Sequence, residues 1–328
     1  MTVRFVARLE EVDVVGWSDL VESLPETSVF CLPTWASVWW ATLGMGSTRV
    51  AIAEDRQGIT AVVPLFELGD MLFLIGCVGA DHLDIAWERG HNDVLEEVLA
   101  AVFTTFPNIV GLQLHQLKRD SDTTAALARA SARLGLIMTE DDQLSAPFFS
   151  LTPERVTATT AKKSLRRHEN WFRQNGELRV DHLRAASDVE NALPAFFDQH
   201  IRRWAGTAYP SLFEDHRNRR FYECLVQPAT AEGWLRFTRV LWNERPIAYH
   251  YGFCLGGRYL WYKPSFEIEL SEHSPGEVLL RHLIWAAADE GAAVFDFGLG
   301  QEPFKDRFSE SRIDMVTIGI YPGQDTIQ

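Results

Sequence analysis

Two segments of the chain carry the same order of apolar runs and turns, and this repetition constrains the fold most. In residues 55–73 and in residues 243–261, a polar turn, an apolar run, a glycine-centred turn and a second apolar run follow one another. Ile59 is separated from Ile247 by the same number of residues as Gly69 from Gly257. Apolar runs joined by short turns are typical of an antiparallel meander. We therefore expect the same supersecondary unit twice.

Each predicted meander is followed by a helical pattern and then by a buried strand. In the first half these are residues 92–103 and 110–115, and in the second half residues 276–288 and 293–297. A helix between two strands predicts a crossover to a parallel strand. The sequence thus indicates an α/β (α+β) fold of two tandem domains, residues 1–155 and 156–328. We expect each domain to be a mixed, mostly antiparallel sheet flanked by helices, with the connection near residues 152–162.

Helical patterns also precede the meanders. Residues 33–43 place Trp35 and Trp39 on one helical face, and residues 192–204 are the counterpart in the second half. Residues 123–134 are rich in alanine and end at Gly135, a usual residue at a helix C-terminus.

Composition limits the classes of protein to consider. Of 328 residues, 46% are hydrophobic, but no apolar run is long enough to span a membrane, and the first residues lack a signal-peptide core. The net charge of -14 argues against broad binding to DNA or to anionic membranes. The four cysteines lie far apart and indicate reduced thiols. We expect a cytoplasmic protein without membrane insertion, of unspecified oligomeric state.

The segment 291–308 contains an acid within an apolar strand. Asp296 precedes a turn with Gly298 and Gly300, and Lys305 and Arg307 follow. A buried carboxylate is costly unless it is paired or used. Two interpretations stand: Asp296 orients Lys305 or Arg307 or deprotonates an amine, or it satisfies the backbone of the turn.

The run Ser274-Pro-Gly276 opens a strong helical pattern. The free N–H groups of a helix N-terminus and the helix dipole favour an anion such as a coenzyme pyrophosphate. The alternative is ordinary N-capping by Ser274, with Pro275 at the first helical position.

A basic run occupies residues 162–173, in contrast to the acidic balance of the chain. On a helix, Lys162, Arg166 and Arg173 fall near one face. The run suits phosphates of a coenzyme or of an RNA end. The alternative is a solvated helix with ion pairs to acidic neighbours.

Residues 248–254 form a strand with chemical groups on both faces. Alternation places Tyr249 and Tyr251 on one face and His250 on the other. His250 is either a general base or a packed core histidine. Across the hairpin, Tyr262 and Lys263 supply a proton donor and an anion contact. Residues 81–84 (Asp-His-Leu-Asp) resemble metal ligands in type, but no further ligands follow at a fixed spacing, and no metal is predicted.

Several of these segments together resemble bacterial acetyltransferase-like proteins grouped with the cellulose-biosynthesis protein CelD. These belong to the GCN5-related N-acetyltransferase (GNAT) superfamily and are close to FemAB-type transferases. The segments that carry the resemblance are residues 163–167, 200–204, 246–248, 274–276 and 295–305.

The resemblance implies tandem GNAT-like domains and acyl transfer to an amine, with acyl-CoA (acetyl-CoA or longer) as co-substrate. In the superfamily a glycine-rich loop before a helix holds the pyrophosphate. Ser274-Pro-Gly276 takes that place here, but it has one glycine and no leading Arg or Gln. The acceptor is an amine of a small molecule or of a saccharide or metabolite precursor. The alternatives are aminoacyl transfer from a charged tRNA held by residues 162–173, and a non-catalytic subunit of degenerate GNAT fold.

From this mechanism follow the predicted site residues. The base is His250 or Asp296, and Tyr262 protonates the leaving thiolate. Coenzyme contacts are assigned to Ser274, Gly276, Glu277 and Lys305, and substrate contacts to Arg203, Trp204, Tyr249, Lys263 and Arg307.

Overall fold

The computed structural model describes residues 1–24, 28–91, 93–300 and 302–323, apart from the side chains at 142 and 143. Asn92 of the predicted helix 92–103 and Gln301 of the segment 291–308 lie outside these residues. The chain divides into two compact units: unit 1 is Met1–Ala146 with the segment that begins at Ile313, and unit 2 is Pro147–Arg312. The sequence-based division into 1–155 and 156–328 did not foresee that the C-terminal segment returns to unit 1.

In its described residues, unit 1 contains two sets of strands with four α-helices. The first set has the order β1-β3-β4-β7 and is antiparallel, and the second contains β2, β5, β6, β8 and β15 in neighbouring positions. Its helices are α1 (Val14–Glu22), α2 (Pro33–Leu43), α3 (Val94–Thr105) and α4 (Asp122–Leu134). Its strands are β1 (Thr2–Val6), β2 (Ser47–Thr48), β3 (Val50–Glu54), β4 (Ile59–Val63), β5 (Leu65–Leu68), β6 (Met71–Leu74), β7 (Ala86–Trp87), β8 (Gly111–Lys118) and β15 (Ser311–Tyr321), which enters unit 1 at Ile313.

Unit 2 is built on one mixed sheet. The order β10-β11-β12-β13 is antiparallel, β14 is parallel to β13, and the end of β9 is antiparallel to β14. Its strands are β10 (Leu178–Leu183), β11 (Leu235–Trp242), β12 (Arg245–Leu255), β13 (Arg258–Phe266), β14 (Val294–Asp296) and the last residues of β9 (Ile137–Ser150). Its helices are α5 (Pro153–Thr160), α6 (Lys163–Asn175), α7 (Ala186–Trp204), α8 (His216–Ala231), α9 (Pro275–Asp289) and α10 (Pro303–Asp306).

The predicted repeat is present in both units. In unit 1, β5 and β6 form a hairpin and α3 leads to β8, parallel to β6. In unit 2, β12 and β13 form a hairpin and α9 leads to β14, parallel to β13. The predicted α/β fold of tandem, mostly antiparallel sheets flanked by helices is therefore confirmed. Trp35 and Trp39 of α2 are buried, and Gly135 ends α4 at a φ of 68°.

One difference between the two copies changes the course of the strand. Pro64 stands at the same separation from Gly252 as Ile59 from Ile247. A proline lacks the N–H that a sheet requires, so the strand in unit 1 ends as β4 and restarts as β5. In unit 2 the strand β12 continues through Gly252, where the register with β13 shifts.

Helices cover both faces of the sheet of unit 2. Apolar side chains of α7 at helical spacing bury one face, where Phe196 packs on Phe237, Tyr249 and Tyr251. The opposite face packs against α9, whose buried residues include Leu279 and Leu283. Because both faces are covered, residues 247–253 of β12 are all buried, and the polar His250 among them is enclosed.

The pairing of strands near the two crossings between the units explains why the C-terminal segment returns to unit 1. Residues of β15 pair with β8 within unit 1, for example Ile318 with Leu114. The last residues of β9 pair with β14 within unit 2, for example Phe149 with Phe295.

In the described part of the chain, no helix is long and apolar enough to cross a membrane. The four cysteines are free thiols, and burial raises the pKa of Cys77 to about 11.

Candidate active site

Two parallel strands of unit 2 separate and leave a cavity between them. β13 pairs with β14 only over Arg258–Leu260, opposite Val294–Asp296, although β13 continues to Phe266. Among the described residues, no strand pairs with this edge of β13 beyond Leu260. The cavity has a volume of about 240 Å³ and lies beside the unpaired edge. A crevice at the carboxyl ends of parallel strands is a common ligand site in mixed sheets.

The cavity wall is mainly aromatic, with a few charged groups. Its aromatic lining comprises Trp204, Tyr209, Trp261, Tyr262 and Phe297. Its ionisable lining comprises His200, Lys263, Glu302 and Lys305.

A bulge in β13 shapes the floor of the cavity. Tyr251 is opposite Lys263 and Phe253 is opposite Leu260, so Gly252 alone stands against Trp261 and Tyr262. The extra residue in β13 bends the strand and removes two backbone groups from the ladder.

His250 lies at this bulge and not in the cavity. Its side chain is fully buried, and its Nε2 lies 3.2 Å from the carbonyl oxygen of Leu260 and 3.3 Å from the backbone nitrogen of Tyr262. Burial lowers the pKa of His250 to about 3, so the ring is neutral at pH 7. A Cβ at Gly252 would lie 2.2 Å from Cε1 of this ring, which accounts for the glycine. The residue therefore supports the backbone of the bulge.

Tyr262 is the predicted catalytic group that the structure places on the cavity wall. Its Oη lies 2.8 Å from the Oη of Tyr222 on α8, and the two rings are tilted against each other. Tyr251 donates from its Oη to the carbonyl oxygen of Tyr222 over 3.3 Å. Lys263 follows in the strand, and its Nζ lies 3.9 Å from the ring centroid of Tyr262.

Side chains terminate β14 and so hold the cavity open. Asp296 is fully buried; its Oδ2 accepts from Nη1 of Arg258 over 2.8 Å and its Oδ1 from the N–H of Gly298 over 2.8 Å. Asp296 contacts the turn, as one interpretation of the sequence held. Its strong ion pair is made with Arg258 on the neighbouring strand.

Lys305 holds the other side of the same turn. Its side chain is buried, and Nζ donates to the carbonyl oxygens of Leu299 over 2.8 Å and Gly298 over 3.5 Å. The carboxylate of Glu302 lies 2.9 Å from Nζ. The backbone groups that would extend β14 are thus bound by Asp296 and Lys305, which explains why pairing with β13 stops.

Arg307 points away from Lys305, toward the start of α9. Its Nη1 donates to Oε1 of Glu277 over 2.7 Å, and its Nη2 donates to Oγ of Ser164 over 2.9 Å. Glu277 therefore balances the positive end of α9 with a carboxylate. Ser274 has a left-handed backbone and makes no side-chain cap to α9, so the predicted N-capping by its hydroxyl is absent and only Pro275 takes its expected place.

Gly276 is required by packing, since a Cβ there would lie 3.2 Å from Cδ1 of Phe266. The N–H groups of Glu277 and Val278 already reach the carbonyl oxygen of Ser274, over 2.9 Å and 3.4 Å. The start of α9 is therefore a closely packed and partly satisfied helix end.

Cationic groups gather around this helix end. The basic run forms α6, in which Leu165, His168 and Phe172 are buried. Burial and the neighbouring Arg155 and Arg307 lower the pKa of Lys162, and burial lowers that of His168. In residues 147–312, 22 basic residues balance 22 acidic ones, so the net charge of -14 resides wholly in the rest of the chain.

Some of the remaining predicted substrate residues line the cavity, and others do not. Trp204 and Lys263 line the cavity. Tyr249 is buried against Phe196, and burial raises its pKa. Arg203 stacks on Phe266, with Cζ 4.5 Å from the ring centroid. The structure thus brings Tyr262, Lys263, Trp204 and Lys305 together, while the other predicted residues lie outside the cavity lining.

His200, Tyr209 and Glu302 also line the cavity and were not predicted from the sequence. His200 precedes Trp204 by one helical turn on α7, a spacing that could have indicated a shared face. Its Nδ1 lies 2.8 Å from Oγ of Ser211, and burial lowers its pKa to about 3. Glu302 and Tyr209 lie in short loop segments. Loops have no periodic pattern from which the orientation of these side chains could be predicted. No group of three or more His, Cys, Asp or Glu side chains in the described ranges is placed to hold a metal ion.

Residues 159–306 match the family model described as Acetyltransferase (GNAT) domain. No curated protein matches the sequence.

Solved structures match almost the whole chain at low identity. FemX is 10% identical with a TM-score of 0.70, covering 99% of this chain and 98% of FemX. A tandem GNAT protein from the clavulanic acid biosynthesis pathway is 12% identical with a TM-score of 0.57, covering 98% and 99%. L-PGS from Bacillus licheniformis is 12% identical with a TM-score of 0.55, covering 88% and 87%. At identities this low, the structural likeness shows a shared fold and nothing further.

The second half of the chain therefore matches the GNAT acetyltransferase family, and the chain as a whole is similar in fold to FemX and to a tandem GNAT protein. All residues that line the cavity fall within the matched range 159–306.

Proposed function

We propose that the protein is an N-acyltransferase that moves an acyl group from acyl-CoA to an amine of a small molecule or of a saccharide or metabolite precursor. The observation that carries this proposal is the separation of β13 and β14 after Leu260 and Asp296. Beyond this point no strand among the described residues takes the place of β14, and the cavity lies there. A strand edge that no other strand covers can be lined by an extended ligand such as the arm of a coenzyme. We place the reaction in the cytoplasm.

The proposed reaction requires few catalytic side chains. The neutral amine nitrogen attacks the thioester carbonyl carbon, a C–N bond forms and the C–S bond breaks. The leaving thiolate takes a proton, and the nitrogen loses one. Positioning and stabilisation of the oxyanion supply most of the rate.

We assign the proton donor for the thiolate to Tyr262, whose hydroxyl has Tyr222 as hydrogen-bond partner on the cavity wall. The proton acceptor is assigned to Glu302, the carboxylate of the cavity lining. His250 and Asp296 were the predicted bases, but both are fully buried away from the lining. We propose that they act as positioning residues for β13 and β14.

The coenzyme phosphates are proposed to approach the start of α9, near Ser274, Gly276, Arg307 and Lys162. Lys162 and Arg307 bring positive charge to this region, and Glu277 is paired with Arg307. A phosphate there must compete with that carboxylate. Affinity for the coenzyme is therefore expected to depend on the charge of Glu277.

The experiment is a thermal shift of the purified protein with coenzyme A, acetyl-CoA and longer acyl-CoAs. A ligand present at about 100 times its Kd stabilises a fold by about 2.7 kcal/mol, which is easily visible. A shift that depends on acyl length supports the proposal and ranks the donors. No shift with any of them counts against it.

A second function is favoured by the surface of α6. Lys163, Arg166 and Arg167 are exposed on a unit without net negative charge. The chain shares its fold with FemX, and its sequence resembles FemAB-type transferases. Aminoacyl transfer from a charged tRNA would use this helix for the RNA acceptor end.

The dependence of binding on salt concentration distinguishes the two functions, because RNA binding weakens steeply as the salt concentration rises. Binding of a charged tRNA at low salt, lost when Lys163, Arg166 and Arg167 are changed to Gln, would favour the tRNA-dependent function. Binding of neither donor would leave a non-catalytic subunit as the remaining assignment.

A further inference from the structure

His200 is a histidine of α7 that is buried as a residue and lines the cavity. Its Nδ1 lies 2.8 Å from Oγ of Ser211. Its Nε2 makes no hydrogen bond within the described residues, yet it is not sealed from solvent, in contrast to Nδ1 of His250. The ring therefore holds its place through one nitrogen and presents the other to the cavity.

The ring of His200 is fixed by the segment that follows the loop after α7. Phe213 packs edge-on against it, with ring centroids 4.8 Å apart and an interplanar angle of 81°. Phe213 belongs to the short helix Leu212–Glu214, and its N–H donates to Oγ of Ser211 over 3.1 Å. The same segment thus packs on the imidazole and holds a hydroxyl against Nδ1.

The hydrogen bonds of Ser211 decide which ring nitrogen carries the proton. Oγ of Ser211 already accepts from the N–H of Phe213, and its hydroxyl has one proton to donate. Within the described residues, Nδ1 of His200 is the acceptor for that proton. If Nδ1 were protonated instead, the buried hydroxyl of Ser211 would be left with no group to donate to, which is unfavourable. Nδ1 therefore accepts, and Nε2 carries the proton toward the cavity.

The electrostatic surroundings keep this ring neutral. Burial, together with the positive charges of Lys263 and Arg203, lowers the pKa of His200 to about 3. A ring that protonates only near pH 3 is a poor general base at pH 7. A neutral imidazole N–H can still polarise an oxygen, and the two cations favour negative charge that develops near the ring.

Acyl transfer develops such a charge on one oxygen. As the amine nitrogen bonds to the acyl carbon, an electron pair of the C=O bond moves to the oxygen, and it returns when the bond to the leaving group breaks. A fixed donor stabilises this oxyanion without giving up its proton. Tyr262, the assigned proton donor for the thiolate, lines the same cavity of about 240 Å³ as His200. A carbonyl whose sulfur reaches Tyr262 therefore lies in the same small space as Nε2.

We propose that His200 is a catalytic residue whose neutral Nε2–H donates to the oxyanion of the tetrahedral intermediate, and that Ser211 is the positioning residue that fixes this tautomer. This inference rests on the proposed function for the acyl transfer, but not for the identity of the donor. The ester of a charged tRNA develops the same oxyanion as a thioester.

The first experiment is steady-state kinetics of variants of the full chain, with the acyl-CoA and amine that the wild type turns over fastest. His200→Phe keeps a ring and removes the donor, so kcat is expected to fall about 100- to 1000-fold while KM for the thioester changes little. His200→Gln keeps a neutral N–H donor and cannot act as a base. It is expected to retain roughly ten-fold more of kcat than His200→Phe.

His216→Phe is the matched control, because that side chain is 85% exposed, and it is expected to keep the kcat of the wild type. A normal kcat in His200→Phe overturns the inference. Equal losses in His200→Phe and His200→Gln would identify a base or a purely structural residue, and this result overturns it too.

The tautomer is measured without turnover by a two-bond ¹H–¹⁵N correlation spectrum of the full chain with labelled histidine. The signals of His200 are those that His200→Gln lacks. A protonated Nε2 and an unprotonated Nδ1 are expected at both pH 7 and pH 5. Ser211→Ala is expected to move part of the proton to Nδ1 and to lower kcat less than His200→Phe does. A wild-type ring protonated on Nδ1, or charged at pH 5, contradicts the inference.

Failure of the inference and failure of the proposed function give different results. If the wild type turns over no acyl-CoA, the proposed function is wrong, and the same variants are compared with a charged tRNA as donor. A loss in His200→Phe that His200→Gln partly restores then supports the inference. Turnover of acyl-CoA at full rate by His200→Phe refutes the inference alone, and no turnover of either donor refutes both.

Discussion

The backbone nitrogen of Tyr262 lies 3.3 Å from Nε2 of His250, at the point where β13 bulges beside the cavity. In the tautomer that is protonated on Nδ1, Nε2 accepts from this N–H; in the other tautomer it donates to the carbonyl oxygen of Leu260, 3.2 Å away. Either way the imidazole replaces ladder bonds that the bulge has removed. His250 thus fixes the strand that carries Tyr262.

Tyr262→Phe is expected to lower kcat by about 100-fold while KM changes little, because it removes the proton donor and keeps the ring. The measurement is initial-rate kinetics with the acyl-CoA and amine that bind best. Tyr222→Phe is the matched control: it removes the partner of the Tyr262 hydroxyl and leaves the donor, so its loss is expected to be smaller. A normal kcat in Tyr262→Phe would show that another group protonates the thiolate.

The folded protein is expected to lose stability as the pH falls from 6.5 toward 3. Burial lowers the pKa of both His200 and His250 from 6.5 to about 3, so over this interval the unfolded chain binds protons that the folded chain does not. Each histidine then costs about 1.4 kcal/mol per pH unit, or about 2 kcal/mol at pH 5. Urea unfolding at pH 7 and pH 5 measures this difference.

Two substitutions locate the effect. His200→Gln and His250→Gln are each expected to flatten the dependence on pH, whereas His216→Gln is expected to leave it unchanged because that side chain is 85% exposed. An equal slope in all variants would contradict the assignment of the protons to these buried rings.

Lys305→Met is expected to destabilise the fold by about 3 kcal/mol, because it leaves the carbonyl oxygens of Gly298 and Leu299 without their donor. The same variant is expected to reduce the thermal shift produced by acyl-CoA, since the turn would no longer hold the cavity open. Lys163→Met, at an exposed position of α6, is the control and is expected to change stability by less than about 0.5 kcal/mol. A stable Lys305→Met variant with full coenzyme binding would assign the shape of the cavity to other contacts.

Glu277→Gln is expected to raise the affinity for coenzyme A by roughly 3- to 10-fold, because it removes a negative charge at the start of α9 and releases Arg307. The comparison is a titration followed by thermal shift at two salt concentrations, since the gain should shrink as salt rises. Glu272→Gln, an exposed acid in the preceding short helix, serves as control. Unchanged affinity in Glu277→Gln would place the phosphates elsewhere.

Local patterns were sufficient for some elements of this fold. The meander, the crossover helix that became α9 and the tryptophan face of α2 follow from spacings within a few residues, which periodicity reads directly. The bend of β13 opposite Gly252 of β12 left no comparable signal, because it depends on which residues of β12 pair with it. Tyr209 and Glu302 lie in loops, and only the tertiary structure directs them into the cavity.

The sequence by itself determined that one unit occurs twice. It also determined that an acid, a lysine and an arginine lie at and after the end of a strand in the second half of the chain. It did not determine their partners. Asp296 pairs with Arg258 because the adjacent parallel strand brings that residue alongside, Lys305 binds the turn, and Arg307 reaches Glu277 on α9. Likewise, only pairing with β8 assigns β15 to unit 1. These contacts join residues distant in the chain, and their energies arise from the packed environment rather than from local preference.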